Sequence, residues 1–186
     1  MTVNQENNIT YIFSKNYTDL SYMFHNCPSL TSINLYNFNT NNVTNMSCMF
    51  HSCSSLTSIN LSNFNTDNVT NMSSMFDGCS SMTSFDLSNF NTNNVNNMAA
   101  IFCHCYSLTS INISNFKTDN VTNMHSLFSC CPKLTSIDLS NFNTNKVTDM
   151  SYMFYSCSSN RSIFYDKFKH NSSYLTFFFH WKILLE

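Results

Sequence analysis

The segment LTSINLYNFNTNNVTNMSCMFHSCSS at 30–55 returns four more times, at 56–81, 82–107, 108–133 and 134–159, with no insertion between copies. Residues 9–29 supply the rear of an earlier copy and 160–168 the front of a later one. A fixed period of this length containing an L-x-x-I-x-L core restricts the chain to a stack of coils, each packed on the coil before and the coil after. One copy alone is too small to enclose a core. Faithful repetition follows, because every position needs its own kind above and below.

Within the second full copy, Leu56, Ile59 and Leu61 point inward while Ser58, Asn60 and Ser62 point outward, which is strand periodicity. Asn63 to Asn68 read as a polar turn with Phe64 tucked beneath it. Met72, Met75, Phe76 and Cys79 then fall at i, i+3, i+4 and i+7, the spacing of a buried helical stripe. Thr70 or Asn68 fits the helix N-cap, and Gly78 fits the left-handed residue that ends it. The expected fold class is α/β: a right-handed, leucine-rich-repeat-like solenoid of about six 26-residue coils, each a short parallel strand plus a short helix. The solenoid occupies 1–168 as one unit, and the out-of-phase apolar run at 169–186 reads as a C-terminal cap or tail.

Two aromatic ladders follow from the period. Phe38, Phe64, Phe90, Phe116, Phe142 and Phe168 form one, and Phe24, Phe50, Phe76, Phe102, Phe128 and Phe154 the other. At this spacing they are core, not a cofactor box. Asn37, Asn63, Asn89, Asn115 and Asn141 follow the strands, where stacked amides can satisfy turn backbone groups.

Cys27, Cys53, Cys79, Cys105, Cys131 and Cys157 share one inward phase, where a free cysteine acts as a small hydrophobe. Cys48, Cys103 and Cys130 are out of phase and expected to face outward. Three outcomes are open for them: a Cys103–Cys130 disulfide, a zinc site built from Cys103, His104, Cys130 and His125, or plain thiols, the commonest outcome. His25 and His51 share an outward phase near the end of the expected helix. A Cys103–His125 nucleophile pair has no third orienting group or oxyanion-hole motif beside it in the sequence.

Composition excludes several classes. Net charge is −2, charged residues make up 10%, and Arg161 is the single arginine, so no basic surface exists to follow a phosphate backbone. One glycine in the whole chain rules out a Gly-rich phosphate loop, and neither H-E-x-x-H nor a paired acidic cluster occurs. No enzyme activity, catalytic residue, cofactor or bound metal is expected. Residues 1–13 lack a basic start and an apolar run, so no secretory leader is expected there. The tail YLTFFFHWKILLE contains His180 and Lys182 and falls short of a membrane span.

The outward strand positions make the expected recognition surface, since solenoids bind along an extended face. They are Ser32, Asn34 and Tyr36; Ser58, Asn60 and Ser62; Ser84, Asp86 and Ser88; Ser110, Asn112 and Ser114; and Ser136, Asp138 and Ser140. Tyr36 is the one large aromatic anchor among them, so weak multivalent contact suits the face better than a tight one.

Segments such as LTSIDLSNFNTNKVTDMSYMFYSCSS at 134–159 and LTSINLSNFNTDNVTNMSSMFDGCSS at 56–81 resemble the repeat of BspA-like leucine-rich-repeat surface proteins, also known as the mycoplasma-lipoprotein-type domain of unknown function. The similarity covers about 9–168. It implies display on the cell surface or outside the cell, and adhesion to a protein or glycan ligand of a host or matrix, with no catalytic residues to carry over. The alternative is an intracellular protein-interaction scaffold, in keeping with a cytoplasmic chain rich in free thiols.

Overall fold

The computed structural model describes residues 2–3, 8–10 and 16–157. The C-terminal cap expected at 169–186, the partial copy at 160–168 and the Phe168 end of one ladder lie outside the described residues.

Among the described residues there are five short strands: β1 (Thr2–Val3), β2 (Asn8–Thr10), β3 (Ser32–Asn34), β4 (Ser84–Asp86) and β5 (Ser110–Asn112). β2 pairs in parallel with β3, and β4 with β5, whereas β1 runs antiparallel to β2. The equivalent residues at 58–60 and 136–138 form no strand, although Thr57 N–H still donates to the Thr31 carbonyl at 3.1 Å. A second parallel column is continuous along the stack. It runs Asp19, Asn45, Asn71, Asn97, Asn123, Asp149, each residue bridged to the equivalent residue of the next coil.

Among the described residues there is no helix. The stretch 72–79, expected to be helical, is a succession of β-turns. Its even-numbered N–H groups run along the stack, from Met72, Ser74, Phe76 and Gly78 to the carbonyls of Asn97, Ala99, Ile101 and Cys103 at 2.8–3.0 Å. The odd-numbered ones close turns within the coil, from Met75, Asp77 and Cys79 to the carbonyls of Met72, Ser74 and Phe76 at 3.1–3.2 Å. A helix would commit nearly every N–H to a carbonyl four residues back and leave none for the neighbouring coil. The turn ribbon bonds in both directions and still buries the predicted stripe, with Met72, Met75, Phe76 and Cys79 all at or below 1% exposure.

This geometry carries a backbone cost. Each coil places two residues four apart in the left-handed region: Cys48 (φ 55°) and Ser52 (φ 61°), Ser74 (φ 53°) and Gly78 (φ 74°), Ala100 (φ 54°) and His104 (φ 56°), and so along the stack. A non-glycine residue there costs about 1–2 kcal/mol. The ladder bonds made by the same segment offset it.

The interior follows the sequence ladders. The rings of Phe24, Phe50, Phe76, Phe102, Phe128 and Phe154 stack face to face, with centroids 5.2–6.0 Å apart and planes within 12° of parallel. Phe85 replaces the usual isoleucine of the strand and packs between two of those rings, 4.7 Å from Phe76 and 5.4 Å from Phe102.

Polar ladders hold the turns. Asn63 Nδ2 donates to the carbonyls of Leu35, Tyr36 and Phe38 at 3.0, 2.9 and 3.3 Å, and Asn89 repeats the set one coil later on Leu61, Ser62 and Phe64. Buried Thr66 donates its hydroxyl to the Asn91 carbonyl at 2.9 Å and accepts the Asn91 N–H at 2.8 Å. Thr40 and Thr118 make the same pair of hydrogen bonds with Asn65 and Asn143, donating to the carbonyl and accepting the N–H.

Candidate binding surface

The face expected for recognition is made of surface residues. Of its residues every one is exposed except Ser32, which is half-buried, and Tyr36 is 77% exposed. The central row, however, has a structural duty. Oδ1 of Asn34, Asn60 and Asp86 accepts the N–H of Tyr36, Ser62 and Ser88 at 3.0–3.1 Å, and Asp138 does the same for Ser140 at 2.8 Å. Asn and Asp therefore alternate freely in this row, because either one supplies the oxygen that closes the turn. Hydrogen bonds from Ser88 hold the Asp86 carboxyl below the usual carboxylate range, which keeps it charged there.

Opposite chemistry collects on the turn ribbon. Two neighbouring columns change from coil to coil, as does the column Tyr22, Cys48, Ser74, Ala100, Ser126, Tyr152 just before them. One reads His25, His51, Asp77, Cys103, Ser129, Tyr155, and the other Asn26, Ser52, Gly78, His104, Cys130, Ser156. The His25 and His51 rings stack with centroids 4.8 Å apart and their Nδ1 atoms 3.0 Å apart, a bond that requires one ring to offer N–H and the other a bare nitrogen. His51 Nε2 lies 3.6 Å from Asp77 Oδ2, and His104 Nδ1 lies 2.9 Å from Asp77 Oδ1. Cys103 Sγ is 3.2 Å from the same His104 nitrogen.

All nine cysteines are free thiols, so Cys103 and Cys130 are not joined. Cys103 departs from the outward placement expected of it: it is 6% exposed, with the adjacent His104 ring against its sulfur. Burial, then the nearby Asp77 and Cys130, push its thiol up to about 12. Cys48 and Cys130 are half-buried. His125, the histidine weighed and set aside as a partner for Cys103, faces Ser151 Oγ at 2.7 Å and Asp149 at 3.7 Å. The in-phase cysteines do more than fill space. Cys53, Cys79, Cys105, Cys131 and Cys157 donate their thiols to the carbonyls of Phe24, Phe50, Phe76, Phe102 and Phe128 at 2.9–3.3 Å.

Cys103, His104 and Asp77 contain the residue types of a nucleophile, base and orienting acid, but not their wiring. A triad uses one imidazole nitrogen for the acid and the other for the nucleophile. Here Nδ1 serves both, and Nε2 stands 3.9 Å from the sulfur. A thiol held near 12 is also the reverse of an activated one.

The family model described as "Mycoplasma protein of unknown function, DUF285" matches residues 2–107 and 81–180, nearly the whole chain. The chain belongs to this family. It is the BspA-like type of leucine-rich repeat that the sequence resembles. Among curated proteins, none matches. Among solved structures, a leucine-rich repeat protein of T. pallidum is similar at 16% identity and a TM-score of 0.44, over 82% of this chain and 86% of that one. At that score it adds nothing to the solenoid geometry described above. No helix among the described residues is long and apolar enough to cross a membrane.

For this DUF285 chain, the residues that sequence reasoning missed are Asp77, as a partner of Cys103 and His104, and the threonine clamps. Both left a signal. Thr40, Thr66, Thr92, Thr118 and Thr144 recur at one position, and Asp77 sits one coil before Cys103 in the same column.

Proposed function

We propose that this chain is a non-enzymatic binding module that presents its Ser/Asn-rich face to a protein or glycan, acting as a surface adhesin. The observation that carries the reading is the row of exposed small polar side chains repeated coil after coil on one face, with Tyr36 as its lone large anchor. A surface of this kind gains strength from many equivalent weak contacts along its length. The single-nitrogen wiring of Cys103, His104 and Asp77 supports a non-catalytic role. The alternative, an intracellular protein-interaction scaffold using the same face, is favoured by nine cysteines that form no disulfide.

The test is attachment of the purified chain to host cells and to immobilised matrix proteins and glycans, with and without Ser58→Arg, Ser84→Arg and Ser110→Arg together. These serines are exposed and lie outside the turn-closing row. A loss of tenfold or more in attachment supports the adhesin reading. Attachment that the triple variant leaves unchanged, or none at any concentration, removes it.

A further inference from the structure

We propose that Asp77, Cys103 and His104 form a binding site for a zinc ion on the turn ribbon, three protein ligands with a fourth position open to water. One oxygen, one sulfur and one nitrogen from these side chains all lie within 4.8 Å of one another. They come from two adjacent coils and face one point. Thiolate, imidazole and carboxylate are all ordinary zinc ligands, and three of them with an open position is a common arrangement. Ligand atoms around a tetrahedral zinc stand about 3.3–3.7 Å apart. The observed 2.9 Å from His104 Nδ1 to Asp77 and 3.2 Å from the same nitrogen to Cys103 Sγ are therefore short of that by about half an ångström.

Two further features fit. His51 Nε2 lies against the carboxylate oxygen of Asp77 that His104 does not use, the position of a group that orients a metal-binding carboxylate. Gly78, the only glycine of the chain, occupies the column between Ser52 and His104. Its left-handed conformation is shared by Asn26, Ser52, His104, Cys130 and Ser156, so backbone geometry alone does not require glycine there. A methyl group at Gly78 would come within 3.3 Å of the Ser52 backbone, so the glycine marks a close approach to the preceding coil and carries no part of the site. Finally, these residues belong to columns that vary in an otherwise repetitive chain, so the fold does not dictate them.

Binding is a ligand exchange with simple balance. Zinc displaces the Cys103 thiol proton to solvent and takes the sulfur as thiolate; the Nδ1 proton that His104 shares with Asp77 moves through solvent to Nε2, which frees Nδ1 and an oxygen of Asp77 for the metal. This is binding and not catalysis, so it holds whether or not the adhesin reading does.

The experiment is titration of the reduced full-length chain with Co²⁺, followed by displacement with Zn²⁺. The expected result is one equivalent bound, with the near-ultraviolet thiolate-to-cobalt band and the visible bands of four-coordinate cobalt, both abolished by added zinc. Cys103→Ser removes the thiolate band. His104→Ala weakens affinity by tenfold or more, and since its side chain is 47% exposed it leaves the fold intact even if Cys103→Ser does not. Cys130→Ser leaves the spectrum unchanged. Absence of a thiolate band in the unsubstituted chain overturns the site. So does a band that survives Cys103→Ser or His104→Ala, or one that disappears with Cys130→Ser.

Discussion

The hydroxyl of Thr92 holds both sides of the Lys117 backbone, donating to its carbonyl at 2.8 Å and accepting its N–H at 2.7 Å. Thr92 is 1% exposed, so no water replaces either bond when the hydroxyl is lost. Thr92→Val keeps the shape and strands two main-chain groups. A loss of about 1–3 kcal/mol is expected from urea denaturation. A cost under a few tenths would show that the clamp contributes nothing.

Ala100 has φ 54° and no glycine to relieve it. Ala100→Gly removes a left-handed penalty of about 1 kcal/mol while adding some freedom to the unfolded chain. A net gain of about 0.5–1 kcal/mol and a higher midpoint are expected, the opposite sign from an Ala→Gly change in a helix. Destabilisation would mean that the strain assigned to this ribbon is absent.

Asp86 accepts hydrogen bonds from the Ser88 hydroxyl and N–H, which lower its pKa from the usual 3.8. A carboxyl with a depressed folded-state pKa contributes stability above its unfolded value, and that contribution is lost as pH falls through the folded one. Asp86→Asn keeps the turn-closing oxygen but not the charge. The stability difference between the two chains should be constant above about pH 5 and shrink steadily below about pH 4. A difference that stays flat down to pH 3 would contradict this.

Thiols of the inward ladder titrate upward. Cys53 is pushed up to about 11, first by burial and then by the nearby Cys27 charge, and burial raises Cys79, Cys105 and Cys131 further. A raised folded-state pKa gives stability that is complete below the usual 9.0 and lost as pH rises through the folded value. The stack should weaken between pH 9 and 11, and alkylation at pH 8 should reach Cys48 and Cys130 well before Cys103. Mass mapping after timed iodoacetamide treatment checks the order, and early labelling of Cys103 would refute its burial.

The stacked phenylalanines and the outward serines were legible because each depends only on which residues recur. The helix was misjudged for a specific reason. Met72, Met75, Phe76 and Cys79 bury the same side whether the segment is a helix or a ribbon of turns. What separates the two is the left-handed backbone at Ser74 and Gly78, and only Gly78 announces it. Tyrosine, asparagine, cysteine, serine, alanine and histidine fill the equivalent sites elsewhere because bonds to the next coil enforce the conformation. Asp77 escaped notice as a partner of Cys103 for a related reason: they are one period apart, and only the assembled stack brings them together.

The column of bridges from Asp19 to Asp149 has a genetic consequence. Each link joins a residue to its equivalent 26 positions on, and the hydroxyls of Thr44, Thr70, Thr122 and Thr148 span the same interval. Loss of one residue within a coil puts every later rung out of phase, whereas removal of a whole copy such as 82–107 rejoins equivalent atoms. Length in such a molecule is therefore quantised. Recombination between copies can shorten or extend it in whole coils, and reach becomes a trait the lineage can adjust without redesigning a single contact.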